Sequence, residues 1–133
     1  MTNRNDRFAQ LQQVAPMLQI SDMGQSLDYY QAVLGFRIGH VWPDAEHPRW
    51  VHLSRDNVQV ILTIDLGTSS RPFIAEKGNG VVFYVTTDHV DALYRELEES
   101  GAIIVQDPIT FGQRKQFSVA DVNGYVFAFC ESL

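Results

Sequence analysis

Two amphipathic helical segments interrupt a chain that otherwise alternates apolar and polar residues with a period of two. In the first helical segment, Leu27, Tyr30 and Leu34 recur at a spacing of three to four residues. Asp22 supplies a side-chain oxygen that can cap the start of this helix, and Gly35 can end it. The alternation before and after the helix predicts strands, because successive residues of a strand point to opposite sides.

The second helical segment, at residues 88–101, repeats the design of the first. It has Asp88 as its predicted cap and ends at Gly101, 66 residues after Gly35 (101 − 35 = 66). Alternating segments flank both helices in the same order, so we interpret the chain as a duplicated β-α-β-β-β unit with an α+β fold. The alternating segments, each predicted to be a strand, are residues 16–20, 36–41, 50–54, 58–64, 80–87, 102–106, 116–120 and 125–131.

This duplication divides the chain into four segments. We predict an N-terminal arm at residues 1–13, a first βαβββ module at residues 14–64 and a second at residues 80–133. Residues 65–79 between them contain Gly, Ser and Pro without a periodic pattern, which predicts a linker. The two modules together have the length of one domain.

Each predicted module has one helix for four strands, so its helix can cover only one face of the sheet. The alternation assigns mainly apolar residues to the covered face, and a mixture of aromatic, amide, hydroxyl and apolar side chains to the other. Two such mixed faces would enclose a cleft, which predicts a curved mixed sheet around a cleft, with the helices on the outer face. The predicted ligand-binding residues of this cleft are Met17, Gln19, Trp50, His52, Gln59, Ile61, Tyr84, Arg114, Gln116 and Ala128.

Composition and charge exclude several classes of partner. The formal net charge is −6 and only two residues are Lys, whereas nucleic-acid binding needs clustered basic residues. The longest apolar runs, such as residues 81–85, are far too short for a membrane-spanning helix, and no secretory signal is evident. A lone cysteine, Cys130, cannot form an internal disulfide, which suits a reducing cytoplasm. We therefore expect a cytoplasmic protein that binds neither nucleic acid nor membranes.

Three motifs carry a family resemblance that spans residues 14–133. Residues 20–36 contain Ile-Ser-Asp, Tyr-Tyr and Leu-Gly-Phe, and residues 80–94 contain Gly-Val-Val-Phe-Tyr-Val and Val-Asp-Ala-Leu-Tyr. These segments resemble the two halves of the vicinal-oxygen-chelate superfamily. Residues 117–124 resemble its closing hairpin, with Val122 where Pro is usual. Within the superfamily, the pattern of residues is most similar to that of bleomycin-resistance-like and glyoxalase-like small proteins.

The resemblance implies four positions at which enzymes of this superfamily hold a divalent metal with His, Glu or Gln. In this chain they fall at Ala15, Ile61, Val82 and Ala128, and equivalent positions differ by the same 67 residues (82 − 15 and 128 − 61). None of these side chains can donate an electron pair to a metal. We therefore expect no metal and no cofactor.

Without the metal, the resemblance predicts a protein that sequesters an aromatic or cationic compound, as bleomycin-resistance proteins sequester an antibiotic. It also implies a homodimer, with the cleft formed either within one chain or between two. The alternative is an enzyme of the superfamily (a lyase, isomerase or dioxygenase) with atypical catalytic residues, in which His52 could be a general base. A third possibility is a regulatory or interaction module without a dedicated ligand.

Several single residues have more than one interpretation. Trp50 and Tyr84 could stack on a planar ligand or pack sheet against sheet. Arg114 could pair with an anionic ligand group or lie at the edge of a dimer. Cys130 could be a nucleophile, but no histidine is predicted beside it, which favours an unreactive packed thiol. His40, at a strand end, is interpreted as a surface residue.

Overall fold

The two predicted βαβββ modules are present in the computed structural model, which describes residues 9–64 and 80–132. The predicted linker and the first eight residues of the arm lie outside this described part. Each module contributes a four-stranded mixed sheet, with strand orders β1-β4-β3-β2 and β5-β8-β7-β6, which confirms the α+β fold. The elements are β1 (Met17–Gln19), α1 (Met23–Asp28), a π-helical turn (Tyr29–Val33), β2 (Arg37–Trp42), β3 (Trp50–Arg55), β4 (Val58–Thr63), β5 (Val82–Thr86), α2 (Val90–Glu99), β6 (Ile103–Phe111), β7 (Arg114–Ala120) and β8 (Val126–Ser132).

Strand register repeats between the two sheets. Met17 of β1 lies beside Ile61 of β4 in a parallel pair, and Tyr84 of β5 lies beside Ala128 of β8 in the equivalent pair. Both residues of the second pair follow those of the first by 67 positions (84 − 17 and 128 − 61). The offset predicted from the sequence is therefore also the offset of the sheets.

Local capping explains where the helices begin. The side chain of Asp22 accepts a hydrogen bond from the backbone N–H of Gln25 at 2.9 Å, as predicted for the cap of α1. For α2 the predicted cap, Asp88, is wrong by one residue. His89 takes the position, and its Nδ1 accepts the N–H of Ala92 at 3.2 Å, because a neutral imidazole nitrogen can serve as the acceptor.

A π-helical turn follows α1, whereas the spacing of apolar residues predicts a regular helix. The N–H of Leu34 bonds to the carbonyl of Tyr29, five residues earlier, which widens this turn. In the widened turn the adjacent residues Tyr29 and Tyr30 are both buried, with 7% and 0% of their surfaces exposed. The turn thus directs two hydroxyl groups toward the second module.

Strand β6 is longer than the sequence predicts. The predicted strand ends at residue 106 and a loop with Pro108 follows, but β6 continues to Phe111. Proline is tolerated here because β6 is an edge strand and its register shifts between Gln106 and Ile109, so no ladder bond needs the missing N–H. The extension adds Ile109 and Phe111 to the second sheet.

A single core joins the two modules. Apolar residues from the helix side of both sheets belong to one buried cluster, and the ring of Tyr30 lies 6.2 Å from the ring of Phe127 in β8. Strand pairing does not connect the two sheets within the described residues. Packing of the helical segments therefore holds the modules together. The largest fully buried side chains are Tyr30, Phe117, Leu53, Leu62, Leu97, Val51, Val60, Val90 and Val119.

Two tyrosine hydroxyls cross from the first module to the second. Tyr30 donates to a carboxylate oxygen of Asp121 at 2.7 Å, and Asp121 is only 2% exposed. Tyr29 donates to the carbonyl of Ala120 at 2.6 Å and accepts the N–H of Ile103 at 2.9 Å. Burial, and then the charge of Asp121, raises the pKa of Tyr30, so its hydroxyl keeps the donated proton.

Neither α1 nor α2, the helices of the described part, has the length and hydropathy that crossing a bilayer requires.

Replacing Tyr30 with Phe should lower the free energy of unfolding by about 2 kcal/mol, because a buried carboxylate oxygen of Asp121 loses its donor. Chemical denaturation measures this loss. Tyr94→Phe is the matched control, since its hydroxyl bonds to Glu98 and Asp107 near the surface, and it should cost clearly less stability. Equal losses in the two variants would contradict a special role for the Tyr30 hydroxyl.

Candidate functional site

Each sheet has a second face, opposite the side that packs in the core. Residues paired across neighbouring strands point to the same side, so strand register assigns the members of each face. The six predicted site residues of the first module share one face, and the four of the second module share the other. The first face carries Met17, Gln19, Arg37, Trp42, Trp50, His52, Gln59 and Ile61. The second face carries Val82, Tyr84, Ile103, Gln106, Ile109, Phe111, Arg114, Gln116, Ala128 and Cys130.

Large apolar side chains on both faces are open to solvent. Met17 and Trp42 of the first face are 58% and 57% exposed. Val82 and Tyr84 of the second face are 55% and 49% exposed. Within residues 9–64 and 80–132, nothing covers these side chains, and exposed apolar surface of this kind is typical of ligand or protein contact sites.

Three polar side chains form a chain of contacts on the first face. His52 Nε2 lies 2.8 Å from Gln59 Oε1, and the amide nitrogen of Gln59 donates to Gln13 Oε1 at 3.1 Å. The partner that orients the imidazole of His52 is thus an amide, whereas a carboxylate would also stabilise the protonated ring. The imidazole of His52 is therefore held by an uncharged partner.

Gly39 of β2 has no side chain, and the imidazole of His52 occupies the space that a side chain there would need. A Cβ atom on Gly39 would lie 2.9 Å from His52 Nδ1, which is closer than non-bonded atoms approach. The ring of His40 is also near, with its centroid 6.2 Å from that of His52. The imidazoles of His40 and His52 therefore lie beside each other, and that of His52 packs over Gly39.

Amide and hydroxyl groups form a corresponding chain on the second face. The Tyr84 hydroxyl donates to Gln116 Oε1 at 2.8 Å, and the amide nitrogen of Gln116 donates to Gln106 Oε1 at 2.9 Å. Arg114 lies at the end of this chain, with Nη1 4.0 Å from Cys130 Sγ. Interactions with Tyr84, and then with Cys130, raise the pKa of Arg114, so its guanidinium stays charged. Cys130 itself is 1% exposed.

The four positions implied for a divalent metal do not offer a suitable donor set. Ile61 lies beside Met17, Ala128 beside Tyr84, and Val82 beside Val126, in strands β4, β8 and β5. The fourth position, Ala15, comes before β1, which begins at Met17. Their side chains are hydrocarbons, whereas divalent metals need imidazole, carboxylate or thiolate donors. In the described ranges, residues 9–64 and 80–132, no three His, Cys, Asp or Glu side chains come together as metal ligands.

Two groups of face residues are absent from the sequence-based prediction. Trp42 lies directly opposite Trp50, and His40 lies beside His52, because β2 has an irregularity between Ile38 and Val41 that breaks its alternation. Ile109, Phe111 and other β6 residues join the second face through the extension of that strand. The break at Gly39 and His40 is a signal in the sequence that could have indicated the first group.

A groove of about 620 Å³ opens elsewhere, between the β3–β4 turn and strand β5. Gln59 and Tyr84 border it, but most of its lining comes from residues on the core side of the sheets, such as Phe36 and Phe127. Its one arginine, Arg55, forms an ion pair with Glu96 at 2.7 Å. The groove therefore lies apart from most of the predicted site residues.

The chain belongs to the glyoxalase/bleomycin resistance protein/dioxygenase superfamily, whose family model matches residues 10–129. The fold and the two mixed faces agree with this membership, which confirms the resemblance derived from the sequence. Comparison with curated protein sequences finds no match.

Solved structures share the fold at low sequence identity. TnmS3, an antibiotic binding protein from Streptomyces sp. CB03234, is 22% identical with a TM-score of 0.71, and the match covers 96% of this chain and 100% of that one. TioX from Micromonospora sp. ML1 is 21% identical with a TM-score of 0.70, covering 92% and 97%. A glyoxalase/bleomycin resistance protein/dioxygenase from Nocardioides is 16% identical with a TM-score of 0.72, covering 98% and 89%.

Replacing Gly39 with Ala should displace the His52 ring and break its contact with Gln59, because the new methyl group needs the space of Nδ1. The measurement is the shift of the His52 imidazole signals in NMR spectra. Gly24→Ala in α1 is the control, since its nearest neighbour would be 3.6 Å away, and it should leave these signals unchanged. An unchanged His52 in the Gly39 variant would contradict the close approach.

Proposed function

We propose that this protein binds a planar aromatic small molecule between its first face and its second face, and releases the molecule unchanged. The observation that carries this proposal is the set of exposed or partly exposed aromatic side chains on otherwise amide-rich and hydroxyl-rich faces. Trp42 and Trp50 lie opposite each other on the first face, and Tyr84 lies on the second. Aromatic rings supply large apolar contact area, while amides can hydrogen bond a ligand at its edges.

A second copy of the chain is the proposed cover for these faces. In one chain Met17 and Trp42 of the first face and Val82 and Tyr84 of the second face are about half exposed, although exposed apolar surface is costly in water. In a symmetric dimer, the first face of each copy would lie against the second face of the other. The membership in the superfamily supports this arrangement, because the resemblance implies a homodimer with a cleft built from two chains.

Binding without conversion is favoured by the chemistry of the two faces. The four positions implied for the metal carry no donor side chains, so we propose a metal-free site. His52, the candidate base of the enzyme alternative, contacts the amide of Gln59 and no carboxylate among the described residues. TnmS3 is an antibiotic binding protein of the same fold, which supports a binding role for this chain as well. The lone cysteine is consistent with a cytoplasmic location, which we also propose.

A binding experiment with intact protein tests the proposal. We expect unsubstituted anthraquinone to quench the fluorescence of Trp42 and Trp50, which are the only tryptophans of the chain. Mass spectrometry should recover the probe with its original mass after prolonged incubation, and sedimentation should show a dimer. Elemental analysis should show no stoichiometric divalent metal. A converted probe, a bound metal or a monomer that binds as tightly as a dimer would each contradict part of the proposal.

The Trp50→Ala variant should weaken anthraquinone binding about tenfold or more, because an aromatic contact buried by the ligand contributes roughly 2 kcal/mol. Isothermal titration calorimetry measures the affinity without relying on the altered fluorescence. Trp50→Phe is the matched control and should retain most of the affinity, since it keeps a ring at the same place. Equal affinities of the Ala variant and the unaltered protein would show that Trp50 only packs between sheets.

A further inference from the structure

We propose that the site prefers acidic aromatic compounds, in which a planar ring system carries a carboxylate, sulfonate or phenolate, and that Arg114 contacts the anionic group. The inference rests on the proposed function and names the ligand class. It departs from the cationic compound expected from the sequence and follows the alternative in which Arg114 pairs with an anionic ligand group.

The charge on the two faces is opposite in sign to that of the whole chain. The chain has 16 acidic and 10 basic residues, yet the strand positions of both faces contain no Asp or Glu in the described part. They do contain Arg37, Arg114 and the titratable His52. A cationic ligand would find no carboxylate at these face positions, whereas an anionic ligand would find permanent positive charge.

Arg114 differs from Arg55 and Lys115, two basic residues off the faces whose charges are paired. Arg55 bonds to Glu96 at 2.7 Å, and Lys115, next to Arg114 in β7, bonds to Asp91 at 2.6 Å. The neighbours of Arg114 are the Tyr84 hydroxyl and the Cys130 thiol. Its guanidinium therefore lacks a carboxylate among the described residues.

The position of Arg114 suits contact with a ring substituent. Arg114 lies opposite Phe111 of β6, and on the same face as Tyr84, so its guanidinium is next to the aromatic side chains that would hold a planar ring. A guanidinium presents a flat fork of N–H donors that matches the two oxygens of a carboxylate or sulfonate.

Formation of the proposed dimer would strengthen the interaction between Arg114 and an anionic group on the ligand. A second copy that covers the second face removes water from Arg114, and an uncompensated charge is costly in such surroundings. An anionic group on the ligand would compensate this charge, and the attraction would be stronger than in water because the effective dielectric constant is lower. The same closure would penalise a ligand with positive charge.

Three anthraquinones that differ at a single ring position test the preference. They carry a carboxylate, a carboxamide or an aminomethyl group, so that shape is nearly constant and charge is negative, neutral or positive. Calorimetry on the intact dimer should show that the carboxylate binds about tenfold more tightly than the carboxamide. The ammonium compound should bind more weakly than both, and added salt should reduce the difference between the carboxylate and the carboxamide.

Charge-matched variants assign the effect to one residue. Arg114→Gln should bring the affinities for the carboxylate and the carboxamide to within about twofold of each other. Arg114→Lys should keep part of the preference, because it retains the charge but not the planar fork. Arg95→Gln, an exposed change on α2, lowers the net charge equally and should preserve the whole preference. Thermal melting verifies that each variant is folded.

The outcomes separate this inference from the proposed function. If all three probes bind with equal affinity, or the ammonium compound binds best, the anionic preference is wrong while the binding role stands. If Arg114→Gln dissociates the dimer or weakens all three probes equally, Arg114 serves the subunit contact and the inference is overturned. If none of the probes binds, and unsubstituted anthraquinone also fails to bind, the proposed function fails together with the inference.

Discussion

The arrangement of the molecule depends on how the helical segments pack between its two modules. Because Tyr30 belongs to the same core as Phe127 and donates to the buried carboxylate of Asp121, the core sides of both sheets are joined within one chain. This contact buries the apolar core side of each module, which a separate module would have to cover in another way. The described residues leave the opposite faces uncovered, and the proposed binding site lies on these exposed faces.

Short-range patterns predicted most of the fold. Alternation and helical spacing located both helices and all eight strands, and the 67-residue repeat reappears in the register of the two sheets. All ten predicted site residues lie on the two faces, since the side on which a strand residue points depends mainly on alternation. Whether those ten residues bind a ligand is still a prediction.

Features that depend on distant partners were not predictable. The π-helical turn at Tyr29 and Tyr30 is accompanied by acceptors some 90 residues later in the chain, at Ala120 and Asp121. The extension of β6 past Pro108 depends on its position at the sheet edge. Trp42 faces Trp50 only because of an irregularity in β2. In each case local propensity is overridden by pairing or packing that the sequence pattern does not display.

The duplication of the module also has a consequence for the number of binding sites in the proposed dimer and for their evolution. The two modules repeat the same strand order but differ in side chains. The first face carries two indoles, an imidazole and Arg37, and the second face carries a phenol and Arg114. In the proposed dimer, each of the two equivalent binding sites is formed by one first face and one second face. The two ends of a bound ligand therefore contact different sets of residues. A point mutation would alter both binding sites at once, but only one face of each site. The specificity for one end of the ligand can therefore change during evolution without changing the specificity for the other end.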